Sequence, residues 1–106
     1  MSEIVVAFTT LPADFDVLAL ARALVGERVA ACVTVLPPVQ SVYEWEGTLT
    51  VDREQQLLIK TTRARIAELW DALKAKHPYQ VPEFLVLPVV DGNPAYLKWI
   101  GESVHS

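Results

Sequence analysis

Cys32, His77 and Glu83 place a thiol, an imidazole and a carboxylate in a chain of 106 residues. These are the side-chain types that hold transition metals. Their spacing builds no local metal site, for the sequence contains no CxxC, HxxxH or HExxH. His77 and Glu83 stand in a segment that also holds Pro78 and Pro82, and extended chain would part them by up to about 20 Å. They share an ion only if the chain turns or a neighbouring subunit contributes. Each also has a plain structural reading. Cys32 lies in an apolar stretch, where a free cysteine serves as a small buried hydrophobe. His77 sits where a helix should end, a place that favours a cation and offers carbonyls to a donor. Glu83 can pair with Lys60 or a backbone amide.

A second set is aromatic: Tyr43, Trp45, Tyr79, Tyr96 and Trp99, with Lys60. Rings around a lysine suit a cleft for a small anionic ligand, with Lys60 supplying the charge. They equally suit a packed interface with the lysine stem lying along the rings. Ser41, His77 and Asp91 supply the residue types of a hydrolase triad, but no GxSxG turn surrounds Ser41. The four glycines are scattered and form no phosphate-cradling loop. The sequence therefore points to a binding protein and not an enzyme.

The elements that must position these residues follow from periodicity. The β-branched run from Ile4 to Phe8 reads as a buried strand. Asp14 is the expected cap of a helix over residues 15–25, with Val17, Leu20, Ala21 and Leu24 at helical spacing and Gly26 as its stop. Residues 29–35 form a second apolar strand, bent at Pro37-Pro38. Its continuation alternates through Val39, Ser41, Tyr43 and Trp45 to a turn at Glu46-Gly47, and the return strand carries Leu49, Val51, Leu57 and Ile59. The Asp52-Arg53-Glu54-Gln55 stretch is too polar for a central core. Thr62 is the expected cap of a helix whose Ile66, Leu69, Trp70 and Leu73 form an apolar stripe, ending near His77 because Pro78 follows. Residues 84–90 give a last strand, and Pro94 opens a short terminal helix. The order is β-α-β-β-α-β plus a helix: a single α+β domain over residues 1–106, on the ferredoxin-like plan of an antiparallel sheet with helices on one face.

The hairpin is too long for that plan. An arm of about 15 residues reaches about 50 Å, whereas the helices cover only about 16–22 Å. The projecting part carries Tyr43 and Trp45, and an uncovered ribbon of that kind invites pairing with another chain. Composition agrees: 52% of the residues are hydrophobic, a surplus for so small a surface that points to an oligomer. The formal charge of −4 and scattered basic residues argue against nucleic acid. Arg63, Arg65, Lys74 and Lys76 share their segment with Glu68 and Asp71 and read as a solvated face. No apolar run approaches the ~18 residues of a membrane span, the opening Met1-Ser2-Glu3 leads to the expectation of no targeting segment, and a lone cysteine suits a reducing compartment. The expected location is the cytoplasm.

Five strings taken together resemble the CutA divalent-cation-tolerance family across nearly the whole chain. They are Ala31-Cys32-Val33, Ser41-Val42-Tyr43-Glu44-Trp45-Glu46-Gly47, Glu54 with Leu58-Ile59-Lys60-Thr61-Thr62, His77-Pro78-Tyr79-Gln80-Val81-Pro82-Glu83, and Tyr96-Leu97-Lys98-Trp99-Ile100. Thr34 departs from the asparagine that many members carry there. The resemblance implies a homotrimer of ferredoxin-like subunits similar in plan to the PII signalling proteins, with long strands pairing across subunits. It implies a role in tolerance to divalent cations, copper above all and zinc not excluded. It carries over Cys32, His77 and Glu83 as the metal contacts. The alternative it leaves open is a PII-like adaptor trimer that takes a small anion between subunits, along Tyr43, Trp45, Lys60, Tyr79, Tyr96 and Trp99. No protein partner is implied.

Overall fold

Alternation along the first strand decides the layout of the sheet. In the computed structural model, which describes residues 3–105, β1 (Ile4–Pro12) is central and pairs antiparallel with β4 (Thr48–Thr62) on one side and β5 (Leu85–Pro88) on the other. Ala7 and Leu11 of β1 face the same side as Leu57 and Ile59 of β4. Against them pack Leu20 and Leu24 of α1 (Val17–Gly26) and Leu69 and Leu73 of α2 (Ile66–Lys76). Each of these leucines is almost fully buried, which contributes about 1.5–3 kcal/mol apiece. Ile4 points the other way, into a smaller cluster with Ala31, Ile100 and Val104. Thus α3 (Pro94–Ser103) covers one end of the opposite face.

The second and third arms make the long ribbon. β2 (Cys32–Val35) and β3 (Val39–Trp45) lie end to end along one edge of β4. Pro37 and Pro38 separate them, and Leu36 N–H still donates to the Gln56 carbonyl at 3.0 Å. At the tip Glu46 (φ 50°) and Gly47 (φ 80°) close a two-residue turn, the left-handed pair that a tight hairpin requires. The ribbon draws the molecule out to 44 Å against 26 and 23 Å in the other directions. Both faces of its far end are apolar and open. Tyr43 and Trp45 stand on one, and Val42 (65% exposed), Leu49 (74%) and Val51 (59%) on the other.

The strand–helix order, the bend at the prolines, the hairpin turn and the Pro94 helix start agree with the sequence; several boundaries differ. Asp16, not Asp14, caps α1, its Oδ1 accepting from Ala19 N–H at 3.1 Å. The preceding residues are spent on a turn in which Phe15 N–H bonds the Pro12 carbonyl. Gly26 lies inside α1, and the left-handed residue beyond it is Arg28 (φ 61°). The Schellman closure from Val29 N–H to the Leu24 carbonyl (3.2 Å) draws Val29 into the core and sets that conformation. Thr62 makes no side-chain cap, because a 3-10 turn (Arg63–Arg65) intervenes before α2. β2 and β5 are shorter than expected; ahead of β2, Ala31 N–H still bonds the Lys60 carbonyl at 2.8 Å. The polar stretch of β4 is also less exposed than its composition suggests, for Glu54 is only 6% exposed.

Candidate functional site

The open face of the ribbon and the segment after α2 together enclose a groove of about 730 Å³. Its first wall follows from the hairpin register. With Trp45 opposite Thr48, the positions opposite Ser41 and Val39 are Asp52 and Glu54. Alternation then sends both carboxylates to the side that carries Tyr43 and Trp45. Tyr43 hydrogen-bonds the Asp52 carboxylate, which pushes its phenol above the usual range.

The second wall is residues 77–83. Pro78 bars helical backbone at His77, which is extended (φ −76°, ψ 133°) and ends α2. The imidazole then turns back onto β1: Nε2 lies 2.8 Å from the Thr10 carbonyl and 3.4 Å from Thr9 Oγ1. Nδ1 accepts from Tyr79 N–H at 3.1 Å. Burial lowers the imidazole pKa against the opposing pull of the Thr10 carbonyl and Glu54. The Tyr79 hydroxyl donates to Glu54 Oε2 at 2.7 Å. Burial, then this bond, raises the phenol well beyond its ordinary value. Such a charge-assisted bond offsets part of the cost of enclosing the carboxylate.

Glu83 closes the groove. Its Oε2 is shut from solvent without a hydrogen-bond partner among the described residues. Burial and the neighbouring Glu54 raise its carboxyl, with a hydrogen bond from Gln56 acting the other way. The folded chain therefore takes up this proton more readily than the unfolded one. The stability that results is complete below the ordinary carboxyl value of 4.5 and is lost as pH rises through the raised value. Glu83→Gln, permanently neutral, is expected to be the more stable protein near neutral pH. The difference should vanish in acid; urea melts at the two pH values check it, and equal midpoints at neutral pH would refute the account.

The predicted site residues fall into two groups. Tyr43, Trp45, Tyr79 and Glu83 line the groove, and His77 braces its wall. Cys32 lies opposite Lys60, at the other end of the sheet, with its Sγ 3.9 Å from Thr34 Oγ1. Lys60 stands six positions along β4 from Glu54, or about 20 Å away. Its ammonium sits 5.8 Å from the centre of the Tyr96 ring, and Tyr96 stacks on Trp99 at 5.6 Å. Within one chain the thiol thus meets neither His77 nor Glu83, and the six-residue aromatic and lysine set is two clusters. Glu83 is not paired with Lys60, for its charged neighbour is Glu54. Ser41, His77 and Asp91 form no triad, since Asp91 accepts from Gly92 N–H and His77 Nε2 is held by Thr10. Among the described residues no three His, Cys, Asp or Glu side chains form a ready metal site.

Asp52 and Glu54 are the site residues that the sequence reading missed. The signal lay in the Glu46-Gly47 turn, which fixes the register and so sets both acids on the Tyr43 face. The groove is lined by Asp52, Glu54 and Glu83, with no lysine, arginine or histidine among the described lining residues. It can attract a cation and offer oxygen donors, while an anion there meets uncompensated like charge.

Comparison with known proteins agrees along nearly the whole chain. The profile of the CutA1 divalent ion tolerance protein family matches residues 5–103. A divalent-cation tolerance protein CutA from Thermus thermophilus is 43% identical over 103 residues, covering 97% of this chain and 98% of that one. A CutA homolog from Xenopus laevis is 44% identical over 98 residues, covering 92% of this chain, which spans 65% of the length of that relative. The solved Thermus thermophilus structure superposes with a TM-score of 0.90 at 42% identity, covering 94% of this chain and 97% of its own. A PII-like CutA from Nostoc superposes at 0.87 with 32% identity, covering 95% and 97%.

Proposed function

The chain belongs to the CutA1 divalent ion tolerance family, and we propose that it acts as a non-catalytic cytoplasmic homotrimer that binds divalent cations at the acidic groove. The observation that carries this is the lining: three carboxylates and two phenols, with no basic side chain among the described residues. Among first-row divalent ions, copper is expected to bind any such donor set most tightly. One chain does not present a complete ligand set, so the ion is held where a second copy adds donors. The ribbon couples the two requirements. Tyr43 and Trp45 border the groove and also expose the surface that needs covering, so a subunit that covers them also walls the site. The unpaired Cys32 suits a reducing compartment. Within one chain Lys60, the cation that an anion-binding adaptor would use, stands away from the groove.

Light scattering followed by Cu(II) and Zn(II) titration calorimetry tests the proposal. Three chains per particle and one saturable ion per subunit are the expected results. Heat no greater than that of dilution for both ions would remove cation binding as the function.

A further inference from the structure

The family resemblance makes His77 a metal contact, yet both its ring nitrogens are already committed. The Thr10 carbonyl can only accept, so Nε2 carries the hydrogen across 2.8 Å. The Tyr79 amide can only donate, so Nδ1 carries the lone pair across 3.1 Å. Those two bonds define one neutral tautomer with no lone pair left over. Binding an ion through Nδ1 would free the Tyr79 amide. Binding through Nε2 would remove its proton and strip the Thr10 carbonyl.

What the imidazole does instead is visible in the chain of contacts. Thr10 is the β1 residue that lines the groove; His77 ties the segment after α2 to it; Tyr79, two residues on, lies ring to ring with His77 at 5.0 Å and reaches Glu54 on β4. We infer that His77 is not a cation ligand but a positioning residue, a clamp that locks residues 77–83 to β1 so that Tyr79 caps Glu54. The donors to the ion are then the carboxylates, and the loss of metal affinity on removing His77 is indirect. The clamp itself does not depend on the cation-binding proposal, because its bonds form without an ion.

Imidazole nitrogen NMR tests this on the metal-free protein, with His105 as the internal comparison, and again with Zn(II) added. The clamp predicts a neutral His77 with hydrogen on Nε2, a Tyr79 amide protected from exchange, and nitrogen shifts that stay in place at zinc saturation. Calorimetry on two variants separates the roles. His77→Gln offers an amide N–H to the Thr10 carbonyl and an amide oxygen to the Tyr79 N–H while removing the imidazole, and should bind zinc more tightly than a variant that releases the loop. His77→Ala releases the loop and should bind about tenfold more weakly, as removing an outer-shell support does. A zinc-induced nitrogen shift of the size that coordination produces, or His77→Gln as weak as His77→Ala while its Tyr79 amide stays protected from exchange, would make His77 a ligand and overturn the clamp. If zinc does not bind, the cation proposal fails while the metal-free spectra still decide: the neutral tautomer with a protected Tyr79 amide upholds the clamp, and any other tautomer or an unprotected amide ends it.

Discussion

Trp45→Ser combined with Leu49→Ser is expected to turn a three-chain particle into single, folded chains. Trp45 is 51% and Leu49 74% exposed on a lone subunit, and they occupy opposite faces of the ribbon tip. Neither belongs to either buried cluster, so the subunit core should survive the change. Burying a large apolar side chain contributes about 1.5–3 kcal/mol. Two such residues at each of three interfaces therefore amount to about 9–18 kcal/mol per trimer. That is enough to move dissociation from far below to above micromolar concentrations. Light scattering at micromolar protein should report three chains for the parent and one for the variant, with circular dichroism unchanged. The parent's melting temperature should rise with concentration and the variant's should not. A parent that scatters as one chain at that concentration would refute the assembly, and with it the shared ion site.

The same ribbon shows which parts of the structure local sequence can specify. A turn of two residues with positive φ at Glu46-Gly47 sets every cross-strand pair up to Val39 and Glu54, so the acidic face of the hairpin is contained in a short stretch. The leucine and isoleucine stripes of α1, α2 and β4 likewise reveal the core, because burial follows their period. The helix starts are harder. Asp14 and Asp16 are both acceptable caps, and only the Phe15–Pro12 turn, which depends on where β1 ends, selects Asp16. Arg28 adopts a conformation that suits glycine because Val29 must enter the core beside it. The burial of Glu54 is set by a tyrosine 25 residues away, and the separation of Cys32 from His77 by register, since Cys32 faces Lys60 whereas Thr10, which holds His77, faces Gln56. Such relations between distant segments are where the reading from sequence failed to separate the two clusters.

Glu54→Gln should weaken Cu(II) and Zn(II) binding by about tenfold to a hundredfold while leaving the fold intact. The side chains have nearly the same shape, so the space filled at this 6%-exposed position is conserved. The amide oxygen can still accept the Tyr79 hydroxyl, which keeps the second wall in place. What disappears is one negative charge at a buried position on the groove wall, where it acts on an ion with less screening than in bulk water. The expected loss is set at no less than that of an outer-shell support. It is tempered by Glu83, whose carboxyl, relieved of its neighbour's charge, should ionise more readily. The pH dependence of stability ascribed to Glu83 should therefore shrink in the same variant. Lys60→Ala, at the far cluster, should leave both ions bound as before. If Glu54→Gln binds both ions like the parent, the charge at Glu54 does not hold the ion and the groove is not the cation site. If Glu54→Gln alone fails, the charge at Glu54 is what retains the ion, and the segment 77–83 is there to keep that charge in place.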